Sequence, residues 1–228
     1  MSRTIDQLVN RQFLRWMETQ KTQTKREQKE PVEQKPMIVV SREYGARGAE
    51  VGRLAAERLK FQFHSQELVH EISKQARVRQ QLVASLDERA RDDIEQWVSE
   101  LMDGGALSPT EYLRNVTKVI LSLGRHGKGV IVGRGSQYIL DPKRTLRVRA
   151  YAPLDARVRR IAARDGLGRT EARTKILRID SERTAFHRQH FDKDHSSPHD
   201  YDLLLNTSTL PIEACVDMVV RGFQARFR

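Results

Sequence analysis

The chain has one cysteine, Cys215, among 228 residues, so no internal disulfide can form, and the usage fits a reducing cytoplasm. Cys215 sits in the apolar run 214–220, where a small buried hydrophobe is expected rather than a nucleophile. Aromatic residues make up 6% and are not interleaved with the basic residues, which argues against stacking platforms for single-stranded nucleic acid. No apolar run reaches the ~18 residues a membrane span needs, and residues 1–13 show no secretory h-region. Also missing is the phosphate-binding sequence GxxxxGK[ST]: no Lys-Ser/Thr pair follows any glycine turn.

What remains is abundant charge on a chain long enough to bury a core. Charged residues make up 31% and the formal net charge is +11. Residues 147–193 hold thirteen Lys/Arg against six Asp/Glu, +7 of that excess, and most are arginines. The planar guanidinium binds phosphate oxygens bidentately, so a phosphate-rich small ligand and a nucleic acid both remain open from charge alone.

The organising stretch is 37–59, MIVVSREYGARGAEVGRLAAERL. A β-branched run at 37–40 predicts a buried strand, Gly45 and Gly48 predict a turn, and Val51, Leu54, Ala55 and Leu59 predict an amphipathic helix. Strand, glycine turn and helix place backbone N–H groups and a helix N-terminus around an anion. Glu50 stands near the position where such turns carry a metal-binding hydroxyl. A second stretch, 129–135, GVIVGRG, predicts a central strand that bends at Arg134 between two glycines, where parallel sheets place their ligands.

Strands at 61–64, 146–152 and 201–206 alternate with helices over 66–77, 81–103, 108–124, 153–164, 169–186 and 210–223. Such alternation predicts a three-layer parallel sheet flanked by helices. Residues 188–194 have little apolar content and read as a mobile excursion. His187, His190, His195 and His199 read as surface or phosphate-facing, without a clean zinc spacing. Before the domain, 4–22 predicts a helix with Thr4 as N-cap and Ile5, Leu8, Val9, Phe13, Leu14, Trp16 and Met17 on a broad apolar side. A charged linker follows, so 1–36 is an extension and 37–228 the domain. The extension's apolar face would pack on the domain or on a second copy as a homodimer.

Taken in order, these stretches resemble the cytidylate kinase-like family of P-loop nucleoside monophosphate kinases over about 37–222. The resemblance implies a P-loop NTPase/NMP-kinase-type fold with a helical lid at about 165–200. The implied reaction moves the γ-phosphoryl group of ATP to CMP or dCMP with Mg²⁺, and no resident metal is implied. Carried over, Ser41, Arg42, Gly45, Ala46, Arg47, Gly48, Ala49 and Glu50 would cradle the ATP phosphates. Arg134 and Ser65 would meet the acceptor nucleotide. Arg157, Arg160, Arg183 and Arg188 would be catalytic arginines closing from the lid and its helix, exposed until ligand arrives.

The chain departs from the family pattern in two places. Family turns read like SREYGSGGREIG, whereas here Arg47 precedes Gly48 and Ala49 occupies the later basic position. The following strand commonly ends in Tyr-Asp and here ends in His64-Ser65, without a carboxylate. A nucleotide-binding regulatory protein of weak or no catalytic activity is the alternative these departures motivate.

Overall fold

A computed structural model of the chain describes residues 34–103 and 110–227. The expected N-terminal helix, and the homodimer expected through it, lie outside the described residues.

Five strands, β1 (Met37–Arg42), β2 (Gln62–His64), β3 (Gly129–Val132), β4 (Thr145–Tyr151) and β5 (Leu203–Asn206), form one sheet in the order β2-β3-β1-β4-β5. Every pairing is parallel. The helices are α1 (Gly48–Leu59), α2 (Gln66–Lys74), α3 (Ala76–Ala84), α4 (Glu88–Asp103), α5 (Glu111–His126), the single turn α6 (Ser136–Ile139), α7 (Leu154–Asp165), α8 (Arg169–Phe191) and α9 (Ile212–Arg226). None among the described residues is long and apolar enough to cross a membrane.

The continuous apolar character of β1 follows from burial on both faces. Met37 and Val39 face one core with Ile131, under α2, α4 and α5. Ile38 and Val40 face the other with Val130, Val132 and Val148, under α1 and α9. The result is the three-layer α/β architecture expected. A third small core, Val158, Ile161, Ala172 and Ile176, joins α7 to α8. Parallel strands bring the turn after β1 and the bend after β3 to one rim of the sheet, beside α8.

Two local expectations change. The helix expected over 66–77 is two, broken at Gln75, whose backbone is extended (φ −84°, ψ 100°). The expected excursion at 188–194 is helical through Phe191, whose ring is buried against Gly135. His187 and His195 are not surface groups: both are buried, with rings stacked 4.7 Å apart. The reason is the i, i+4 spacing of His187 and Phe191, which turns ring surface toward Tyr138 and the core.

Candidate functional site

The turn after β1 is held from outside by its carbonyls. Arg183 on α8 donates to Arg42 O at 3.0 Å. Arg157 on α7 donates to Tyr44 O at 3.3 Å, and Arg160 to Gly45 O at 3.3 Å. Thr207, just past β5, donates its hydroxyl to Ala46 O at 2.9 Å. Four carbonyls of the turn, those of Arg42, Tyr44, Gly45 and Ala46, are thus engaged from outside, while the amides of Glu43, Tyr44 and Ala46 are taken by Ala150 O, Asp180 and Glu43 O. Gly45 (φ 83°) and Arg47 (φ 56°) supply the left-handed backbone this requires. No side chain caps α1, and Val51 N–H, 3.1 Å from Arg47 O, is the first amide of the helix with a carbonyl partner. The amides of Gly48, Ala49 and Glu50 have no acceptor among the described residues, the usual state of a first helical turn and an anion-binding arrangement.

Two carboxylates lock this frame. Asp180 accepts from Tyr44 N–H at 2.8 Å and from Arg157, tying α8 and α7 to the turn. Glu43 accepts from Ala152 N–H at 3.1 Å and lies 3.4 Å from Arg157 Nε. Arg157 also donates through Nε to Ala152 O at 2.9 Å, so its Nε and Nη1 both hold the frame. It is buried rather than exposed, contrary to expectation, because the turn carbonyls and these carboxylates take the place of water. Arg160 is likewise engaged with Thr207, through its hydroxyl at 3.1 Å and its carbonyl. At the mouth of the turn Arg47 and Glu50 form a bidentate pair at 2.7 and 2.8 Å, and this hydrogen bonding holds the Glu50 carboxyl below its ordinary pKa.

Across the rim from this frame stand three arginines with little to neutralise them. Arg42, at the end of β1, donates to Gln66 Oε1 at 2.5 Å. Burial first, then repulsion from Arg183, pushes its pKa down to about 9, with Arg134 adding to the repulsion. Burial also lowers Arg183, whose carboxylate neighbour Asp180 is 3.9 Å away. Arg134 sits in a left-handed conformation (φ 57°), its Nε buried without a partner among the described residues and its guanidinium 6.0 Å from the Phe186 ring. Gly133 (φ 78°) is required beside it, since a Cβ there would lie 2.4 Å from Arg42 Nη1. Like charges gathered at a strand rim cost energy unless an anion joins them.

The other expected site residues are placed as follows. Ser41 is buried at the end of β1. Ser65 caps α2, its hydroxyl accepting from Leu68 N–H at 3.2 Å. Arg188 is exposed on α8. Residues that sequence reading passed over include Glu43, Asp180, Thr207, Gln66 and Tyr44, whose ring lies 5.5 Å from the Arg164 guanidinium and 5.6 Å from that of Arg183. The i, i+3 spacing of Asp180 and Arg183 was the one sequence signal that could have pointed to the carboxylate.

An open, uncapped glycine turn at the rim of a parallel sheet, faced by half-buried arginines, defines an α/β phosphate-binding fold of the nucleoside monophosphate kinase type. Residues 37–209 match the model of the cytidylate kinase-like family, and the chain belongs to that family. It is 30% identical over 116 residues to a cytidylate kinase of Ignicoccus hospitalis, covering 51% of this chain and 67% of that one. A match at 30% over 115 residues, 50% of this chain, is to a uronate isomerase of Corynebacterium glutamicum, of which it spans only 22%. Among solved structures, an uncharacterized protein from Eubacterium ventriosum superposes with a TM-score of 0.66 at 20% identity, over 84% of this chain and 99% of that one.

Proposed function

We propose that the protein is an ATP-dependent nucleoside monophosphate kinase that phosphorylates CMP or dCMP. The observation that carries this reading is the gathering of Arg42, Arg134 and Arg183 beside an uncapped glycine turn. Phosphoryl transfer needs positioning and neutralisation of charge on phosphate oxygens more than covalent chemistry from the protein.

In this reading the amides of Gly48, Ala49 and Glu50, at the end of the glycine turn, receive the ATP phosphates, and Arg42 and Arg183 take the place of the lysine the turn lacks. Arg134, with Ser65 nearby in sequence to Gln66, faces the acceptor phosphate. Arg157 and Arg160 hold the turn rather than the substrate, because their donors are occupied by its carbonyls. Arg188 would reach substrate only if the 165–200 lid closes. Mg²⁺ would ride on the phosphate oxygens of ATP and supply charge neutralisation there, since both oxygens of the Glu50 carboxylate at the turn mouth are paired with Arg47. The cytoplasm supplies both nucleotides.

A coupled assay with CMP, dCMP, UMP and AMP tests the proposal. ADP release with a pyrimidine monophosphate is expected. Binding of ATP without ADP release for any acceptor would establish the alternative, a nucleotide-binding regulatory protein on the same fold.

A further inference from the structure

Tyr44, in the glycine turn, is held by α7 and α8 at its N–H, its carbonyl and its hydroxyl. The N–H donates to Asp180 Oδ1 at 2.8 Å, and the carbonyl accepts from Arg157 Nη1 at 3.3 Å. The hydroxyl accepts from Arg164 Nη2 at 2.7 Å. Arg164 Nε is in turn 2.6 Å from Asp165, and Lys175 of α8 donates to the same carboxylate at 2.9 Å. The ring is thereby fixed from both helices.

Two guanidiniums stand over it, Arg164 at 5.5 Å and Arg183 at 5.6 Å from the ring centroid. Arg164 is an exposed residue with Asp165 to neutralise it. Arg183 is placed differently. Its side chain is 20% exposed and its carboxylate neighbour Asp180 is 3.9 Å away. Among the described residues its one hydrogen-bond acceptor is the Arg42 carbonyl. An aromatic face attracts a cation without neutralising it and without occupying its N–H donors, whereas a carboxylate in the same place would do both. The ring therefore holds Arg183 beside Arg42 and leaves its charge and its remaining donors to an anion.

We propose that Tyr44 is a positioning residue, whose ring aims Arg183 at the phosphates of ATP and ties that aim to the seating of α7 and α8 on the turn. This role rests on the phosphate-site reading above and adds to it the group that directs the arginine. Tyr44 also packs on the small core of Val158, Ile161, Ala172 and Ile176, so its removal could weaken the fold by packing alone. What separates the two roles is the face of the ring, which packing does not need.

Calorimetric titration of ATP into substituted chains reads the role without requiring turnover. Tyr44→Leu keeps apolar bulk against α7 and α8 and should weaken ATP by roughly tenfold, the order of a partly buried cation–π contact. Tyr44→Phe keeps the ring, loses the Arg164 bond and should recover most of that affinity. Pentafluorophenylalanine incorporated in place of Tyr44 keeps the ring's outline and strips its face of negative charge. It should weaken ATP as leucine does, with the melting transition retained, and it serves if the leucine chain does not fold. In an Arg183→Ala background both replacements should cost less than about twofold, because nothing is left for the ring to aim. Losses that add fully in that background would overturn the role of Tyr44 and leave the phosphate site standing. So would a fluorinated ring that binds ATP as tightly as Tyr44→Phe. A parent chain that binds no ATP would overturn the phosphate site itself, and the role of Tyr44 with it.

Discussion

The Arg183 guanidinium donates to the main-chain carbonyl of Arg42 across 141 residues of sequence, and the two side chains it brings together carry the same charge. Helix α8 is thereby closed on the end of β1 at an electrostatic cost that a bound phosphate would remove. Nucleotide should therefore stabilise the fold markedly. At about 100 times its dissociation constant a ligand adds ~2.7 kcal/mol. For a chain of this size the melting temperature should rise by roughly 5–10 °C with ATP or CMP and not with the nucleoside. Differential scanning fluorimetry with cytidine as the control checks this.

Arg157 and Arg188 sit on opposite sides of the division between frame and surface. Arg157→Ala would leave Asp180, Glu43 and two carbonyls without their shared donor, a loss of roughly 2–4 kcal/mol. Arg188→Ala, at an exposed helix position, should stay within about 0.5 kcal/mol of the parent. Urea unfolding of both variants tests the contrast, and equal midpoints would contradict it.

Gly135, in the bend after β3, packs directly against the end of α8. A Cβ there would come 2.1 Å from Phe191 Cζ, at a backbone φ of 69°. Gly135→Ala should cost about 1–3 kcal/mol and free the last turn of α8. Faster amide exchange confined to 186–192, with the sheet still protected, is the expected signature.

Burial drives the His187 pKa down to about 3 and that of His195 to about 4, from 6.5. Both are therefore neutral in the folded chain at pH 5, where the unfolded chain is protonated. Since the unfolded state binds more protons between about pH 6.5 and pH 4, stability rises with pH across that window and is lost as pH falls through it. Each histidine contributes on the order of 3 kcal/mol to this loss at pH 4. His187→Phe should flatten the slope of melting temperature against pH between 4 and 6.5, and an unchanged slope would contradict the burial argument.

The layers of the fold could be read from sequence because β1 and β3 are buried on both faces, so their apolar runs are unbroken. The glycine bends after them could be read for a similar reason: left-handed backbone at Gly45 and Gly133 leaves a residue-type signature. The roles of the arginines could not. Arg157 and Arg183 have the same residue type and helical setting, and only the position of the turn carbonyls separates one that holds the frame from one that borders the arginine cluster. Glu43 and Asp180 were passed over because their partners lie more than a hundred residues away in sequence, at Ala152 and Tyr44. His187 and His195 look polar in a charged segment, yet their burial comes from stacking that depends on a loop returning to α8.

The most direct test of the phosphate site is a calorimetric titration of CMP into the parent chain and into Arg134→Ala. Loss of a charge-assisted contact is worth about 1.5–3 kcal/mol, so affinity should fall by roughly ten- to a hundredfold. Melting temperature should be unchanged or slightly raised, because one of three like charges is gone. An Arg134→Ala chain that binds CMP as tightly as the parent, above all one whose melting temperature has dropped sharply, would contradict a phosphate site at the arginine cluster.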